Sequence, residues 1–391
     1  MLSARRLSLV LAVATAAALA AAPSAHARRT IKLKYPTFTV PPRSDRETCT
    51  FVRLPMKKPF DLGSSVVTNI GITSTFTSHH FLLWAYEGTD IEKFPPKGQL
   101  VDSKACLDFG PTDTNQRTLI TGSQSPTLTT RLPDGLAQQI KPANTSAGPV
   151  VGLILNSHWI NGSDQPQKAS VRIKLTAAKK HSVRQYLLPL FDVVANGFLK
   201  VPPGQVASVS WAWGPGLPDY GGSLGGGAFP TGPACVVSLT SHMHKRGKLF
   251  TIDFLDGSAP PRQVLENQDY RDPPQVAYTP PLLVNPGQRL RYTCTHDNGV
   301  TTAVKMGCEE EAGVIPGVDA ATALFTGRGT SGAAKRCETD ADCAGFGTGK
   351  CVQANLVFGF TSDDDMCIMP GGWYPVTNGT CDLSGLPVKK N

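Results

Sequence analysis

The chain of 391 residues is notable first for what it has little of. Beyond residue 27 no apolar run is long enough to span a bilayer as a helix, so the processed chain is expected to be soluble. No segment carries a sustained helical period, which argues against a bundle or an α/β sheet. The cysteines form no pair of Cys-x-x-Cys knuckles, so a zinc ribbon is not expected. Internal repeats are absent. Lys and Arg are scattered apart from Lys179, Lys180 and Arg184. That cluster reads as a solvated linker, and no nucleic acid is expected as a partner. Histidine is scarce, at eight residues.

The first 27 residues read as an export signal. Arg5 and Arg6 precede an Ala- and Leu-rich run from Leu7 to Ala22, and Ala25-His26-Ala27 fits a small-x-small cleavage site. The expected location is therefore secreted or periplasmic. Removing 27 of 391 residues leaves about 364, more than one core usually supports, so two domains are expected. The formal charge falls from +8 to +6 with the loss of Arg5 and Arg6. All ten cysteines remain, an even number that points to disulfides in an exported chain.

Short runs rich in Val, Ile, Leu, Thr and Phe alternate with Gly, Pro and Ser turns. Val150 to Leu155, Val171 to Leu175, Val206 to Trp213 and Leu249 to Phe254 are examples. The pattern is all-β, with two tandem antiparallel β-sandwiches expected. Residues 28–176 form the first, 177–186 a polar linker and 187–391 the second. Gly214 to Gly232 reads as a long loop, and 309–360 as a Cys-rich insertion in the second domain.

Five histidines stand in compact settings. His242 and His244 follow a β-like run, and on a strand residues i and i+2 face the same side, which suits a metal. A lone His-x-His is often fortuitous. His79 and His80 are adjacent, so a regular strand would point them apart; both reach one ion only if the backbone kinks or different ring nitrogens are used. His158 ends an apolar run, where a histidine is ordinarily a core or rim residue. Met366 beside Cys367 offers a soft thioether, which favours copper, after an Asp363-Asp364-Asp365 run that ordinarily makes a solvated turn or, more rarely, a calcium site.

Taken together, the order His-His, His, His-x-His, Met-Cys resembles the copper type II ascorbate-dependent monooxygenases, the family of peptidylglycine α-hydroxylating monooxygenase and dopamine β-hydroxylase. The matching segments are Thr77-Ser78-His79-His80, His158, His242-Met243-His244-Lys245-Arg246-Gly247 and Asp365-Met366-Cys367. The resemblance covers most of the processed chain and implies jelly-roll-like sandwiches with two coppers per chain, one in each domain. His79, His80 and His158 would hold the electron-storing copper. His242, His244 and Met366 would form the catalytic centre, where O2 meets a small-molecule substrate, with ascorbate or a similar reductant as co-substrate. It also implies Cys294–Cys367, Cys235–Cys381 and Cys49–Cys106 bridges, with Cys308, Cys337, Cys343 and Cys351 pairing within or onto the insertion. A monomer without a membrane span is expected.

Some positions depart from the family. Thr240 stands where peptide-hydroxylating members have Arg, and Ile368 and Pro370 stand where they have Asn and Tyr. A reader for a peptide carboxylate is thus missing. Phe81 replaces a Met after the histidine pair, and Asn156 stands where Gln is common. Met306 and Met243 are alternative thioethers, but Met306 lacks the flanking acid and adjacent Cys, and Met243 on a strand would point away from its neighbours. Two rival readings share the sequence: a copper-binding protein of the same fold without turnover, and an adhesion or carbohydrate-binding sandwich with Trp211 and Trp213 on one strand face.

Overall fold

Alternation builds the first sheet. In the strand Gln167–Ala177, Ala169, Val171, Ile173 and Leu175 are buried while Lys168, Arg172 and Lys174 are exposed, the period of a sheet with one dry face. It lies between Thr30–Lys34 and Phe60–Ile70 in a seven-stranded sheet. The computed structural model describes residues 28–86, 88, 90–102, 117–146, 148–217, 230–309, 336–359, 362–376 and 379–389. The leader-like segment 1–27 lies outside them, as do Cys106 and much of the 309–360 insertion.

The second sheet, of six strands, is centred on Gly148–Asn161, flanked by Ser44–Pro55 and Phe76–Tyr86. Its inner face (Phe81, Leu83, Val151, Leu153, Leu155) packs on Val67, Val171, Ile173 and Leu175 of the first sheet. Its outer face is also covered: Phe51, Trp84 and Ile154 pack with Phe191, Val193, Met366 and Ile368 from the second half of the chain. Gly148–Asn161 is therefore almost continuously buried, as expected of a strand with both faces dry.

The second half forms two four-stranded antiparallel sheets. One is Leu188–Asp192, Met369–Pro375, Ala234–Leu239 and Val276–Val284; the other is Gln205–Trp213, Gln288–Asn298, Gly247–Asp256 and Arg262–Asn267. Trp213, Phe250, Ile252, Tyr292 and Trp373 fill the space between them. The fold is thus all-β, with tandem sandwiches. The polar stretch 177–186 is less free than a solvated linker would be. Gln185–Tyr186 pairs in parallel with Leu136–Ile140, and the Val183 carbonyl accepts the Lys389 N–H at 2.7 Å.

Four disulfides hold the described residues: Cys235–Cys381, Cys294–Cys367, Cys308–Cys343 and Cys337–Cys351. The first two are the pairings the resemblance implies. Cys308–Cys343 ties the described end of the insertion to the strand Met306–Cys308, and Cys337–Cys351 closes a loop within the insertion. The expected Cys49–Cys106 bridge involves Cys106, outside the described residues. Among those residues no helix is long and apolar enough to cross a membrane, which says nothing about a membrane β-barrel.

Candidate metal centre

A register shift in the second sheet solves the problem posed by adjacent histidines. His158 pairs with His80, and the next residue, Trp159, pairs with Ser78. His79 is the extra residue, left without a partner across the ladder. Such a bulge bends the strand and re-aims a side chain. The His79 ring consequently lies 5.3 Å from His80 and 5.1 Å from His158, centroid to centroid, and His80 lies 5.3 Å from His158.

His242 and His244 lie just beyond the strand Ala234–Leu239, not within it as a regular strand reading has it. A single bridge to Ile368 keeps the segment extended at His242, and the chain turns where Gly247 N–H meets the His244 carbonyl at 3.0 Å. The two rings are 5.4 Å apart. Met243, between them, points away into the core of the second sandwich. A Cβ at Gly247 would sit 2.7 Å from Met243 Cβ and Sδ, so the glycine is needed for the close approach of that side chain.

The two groups meet. His79 lies 4.7 Å from His244 and 5.1 Å from His242, and His80 lies 5.7 Å from His242. Two triads, His79-His80-His158 and His79-His242-His244, each bring their ring nitrogens within 4.8 Å of one another, sharing His79. Where the sequence suggests one centre in each domain, the five imidazoles form a single cluster across the junction.

Hydrogen bonds sort the ring nitrogens. His80 Nε2 donates to Asn156 Oδ1 at 2.8 Å, and Asn156 Nδ2 donates to Glu47 Oε1 at 2.7 Å. His158 Nε2 lies 3.4 Å from Asp45 Oδ2. His242 Nδ1 donates to Gln124 Oε1 at 3.0 Å, and His244 Nδ1 to the Asp364 carbonyl at 3.2 Å. Four of the five rings, those of His80, His158, His242 and His244, thus have one nitrogen facing an oxygen, leaving the other to offer its lone pair, the usual outer-sphere arrangement of a metal-binding histidine. His79 Nε2, His158 Nδ1 and His244 Nε2 are buried with no hydrogen-bond partner. Burial, then repulsion from neighbouring rings, holds His79 and His242 well below the ordinary histidine range; burial lowers His244 too. Neutral imidazole is the metal-binding form.

The Asp363–Asp365 run is neither a solvated turn nor a calcium loop. All three carboxylates are buried and matched. Asp363 pairs with Lys245 and with Arg336 at 3.0 Å, and Asp364 with Lys305 at 2.6 Å. Asp365 Oδ1 accepts the backbone N–H groups of His244 and Met366, both at 2.8 Å, while its Oδ2 lies 3.3 Å from His296 Nδ1. The carboxylate thereby fixes Met366 beside the His-x-His segment. His296, fully buried, is a participant that motif reading missed; its only signal was its place two residues after Cys294, the partner of Cys367.

Met366, His80 and His242 line one cavity of about 740 Å³ between the sandwiches. Thr240, Ile368 and Pro370 line it as well. Met306 instead packs with Cys308, Cys337 and Cys343 of the insertion. Those three cysteines lie close enough to suggest a metal site, but all are consumed in disulfides. Phe81 faces the core of the first sandwich. Trp213 is buried in the second core, whereas Trp211 stacks on exposed Phe198 at 5.5 Å, so the two do not form a shared platform.

No family model matches the chain, and no curated protein matches it. Among solved structures it is similar to the major capsid protein P2 from bacteriophage PM2, at 9% identity over 68% of this chain and 91% of that chain, with a TM-score of 0.26. A likeness at that score carries no weight for function.

Proposed function

We propose that this chain is a copper-dependent monooxygenase, exported to the periplasm or the medium, that hydroxylates a C–H bond using O2 and a reductant such as ascorbate. The observation that carries the reading is the cluster of five buried histidines, three of them with an orphaned ring nitrogen. Imidazole with one thioether is a donor set suited to copper, whereas magnesium and calcium prefer oxygen ligands. His79, His80 and His158 would hold one ion; His242, His244 and Met366 would hold the second. Copper, when bound, supplies one-electron and O2 chemistry that side chains cannot.

The protein's own contribution is positional. Asn156 with Glu47, Asp45, Gln124 and the Asp364 carbonyl set which nitrogen His80, His158, His242 and His244 present. Asp365 anchors His244 and Met366 by one carboxylate oxygen. The Cys294–Cys367 bridge ties the Met366 segment to the strand Gln288–Asn298. The apolar cavity beside His80 and His242 would hold substrate away from bulk water.

Ascorbate-driven oxygen uptake by the copper-loaded protein tests turnover. Uptake abolished in His79→Ala and Met366→Ala supports the reading. Two coppers bound with no uptake in the presence of varied C–H substrates would favour a copper-binding protein of the same fold instead.

A further inference from the structure

We infer that the substrate is an uncharged, largely apolar molecule lying along the outer face of the strand Phe76–Tyr86. The inference rests on the copper reading for where the reacting C–H bond sits; binding itself needs no ion.

His80, Leu82 and Trp84 are alternate residues of that strand and share its outer face. At roughly 3.4 Å per residue, Trp84 lies about 14 Å along the wall from His80. Leu119, paired with Trp84, and Phe191, whose ring meets Trp84 edge-on at 5.4 Å, continue the apolar wall. Ile368 and Met366 close it from the second sandwich. A cavity of about 740 Å³ holds a medium-sized organic molecule.

The buried charges on this wall, Glu47 and Arg117, are already engaged. Among the described lining residues only Glu47, Arg117 and Asp272 are formally charged. Glu47 accepts from Asn156 at 2.7 Å and lies 3.4 Å from His80 Nε2. Asp272 is exposed, keeps its carboxylate in water, and accepts from Ser125 Oγ at 2.6 Å. Arg117 has a partner of its own. It pairs across the ladder with Tyr86, six residues from His80 and so about 20 Å along the strand. At the histidine end the wall offers the uncharged Thr240, Ile368 and Pro370, and the one carboxylate beside His80, Glu47, is held by Asn156. A charged ligand group would lose its hydration here without gaining a partner, a cost that an apolar molecule avoids.

The test uses the copper-free full-length processed chain and two fluorescent probes that differ by one sulfonate: neutral N-phenyl-1-naphthylamine and anionic 8-anilino-1-naphthalenesulfonate. The neutral probe is expected to bind at least tenfold more tightly. Octanol should displace it, while octanoate and octylammonium displace it at least tenfold less well. Leu119→Lys, with folding checked by circular dichroism, should weaken the neutral probe and narrow the gap to the anionic one. Equal or tighter binding of the sulfonate would overturn the inference and make Arg117 an anion reader. Preferential displacement by octylammonium, or no binding of the neutral probe to the wild type, would overturn it as well. Copper content, measured separately on the reconstituted wild type, decides the copper reading independently of these outcomes.

Discussion

Gln124, in the first sandwich, accepts a hydrogen bond from His242 Nδ1 in the second at 3.0 Å, while its amide nitrogen donates to the Tyr270 carbonyl at 3.0 Å. One side chain therefore docks the two halves and orients a candidate ligand. The adjacent Ser125 adds a bond to Asp272 at 2.6 Å.

This arrangement would make the copper site proposed at His242 dependent on the other domain. Gln124→Leu removes the acceptor that fixes the His242 ring, and copper affinity at that centre should fall about 10- to 100-fold, the usual effect of losing such a partner. Ser125→Ala loosens the same junction without touching His242, so its affinity should stay near wild type. Competition with a Cu(I) chelator measures both. An equal loss in the two variants would assign Gln124 to docking alone.

The Cys294–Cys367 bridge joins residues 73 apart. Replacing both cysteines with Ala should cost about 4 kcal/mol of stability from the restored freedom of the unfolded loop. Chemical denaturation under non-reducing conditions gives the figure. Because Met366 precedes Cys367, copper binding at the site proposed for His242, His244 and Met366 should weaken more than at the one proposed for His79, His80 and His158.

Lys305 is buried with its ammonium 2.6 Å from Asp364. Lys305→Met leaves a buried carboxylate without that cation and should cost about 3–5 kcal/mol. The double variant Lys305→Met with Asp364→Leu removes both charges and should recover much of the loss. Urea unfolding of the two proteins compares them directly.

Acid stability should depend in part on Asp297. Its carboxylate accepts the N–H groups of Gly299, Val300 and Thr301 at 3.0, 2.7 and 2.7 Å. Burial opposes ionisation, but hydrogen bonds from Thr301, Val300 and Gly299 outweigh it and bring the group from 3.8 down to about 2. With the folded value below the unfolded one, the contribution is present above the unfolded pKa and is lost as pH falls through the folded one. Asp297→Asn should therefore be less stable than wild type at neutral pH, and the gap should close as pH falls from 3.8 to about 2. Unfolding midpoints across that range provide the check.

The β architecture was legible because strands such as Gln167–Ala177 alternate buried and exposed residues. The five histidines and Met366 were legible as motifs, though not their junction. Nothing local announces the bulge at His79, since no glycine or proline marks it; pairing with the strand Gly148–Asn161 creates it. The neighbours of Asp363, Asp364 and Asp365 come from residues 245, 305 and 296, so a run that reads locally as a solvated turn is buried among side chains distant in sequence. Gln124 and His242 are 118 residues apart and carry no shared pattern.

Copper stoichiometry tests the central claim most directly, on the processed wild-type chain beside His242→Ala and Met366→Ala after reconstitution under reducing and oxidising conditions. The five-histidine centre should bind two coppers per wild-type chain, with one selectively weakened in each variant. No copper in the folded wild-type protein under either condition would contradict it and leave a disulfide-bonded β-sandwich whose histidine cluster serves some other purpose.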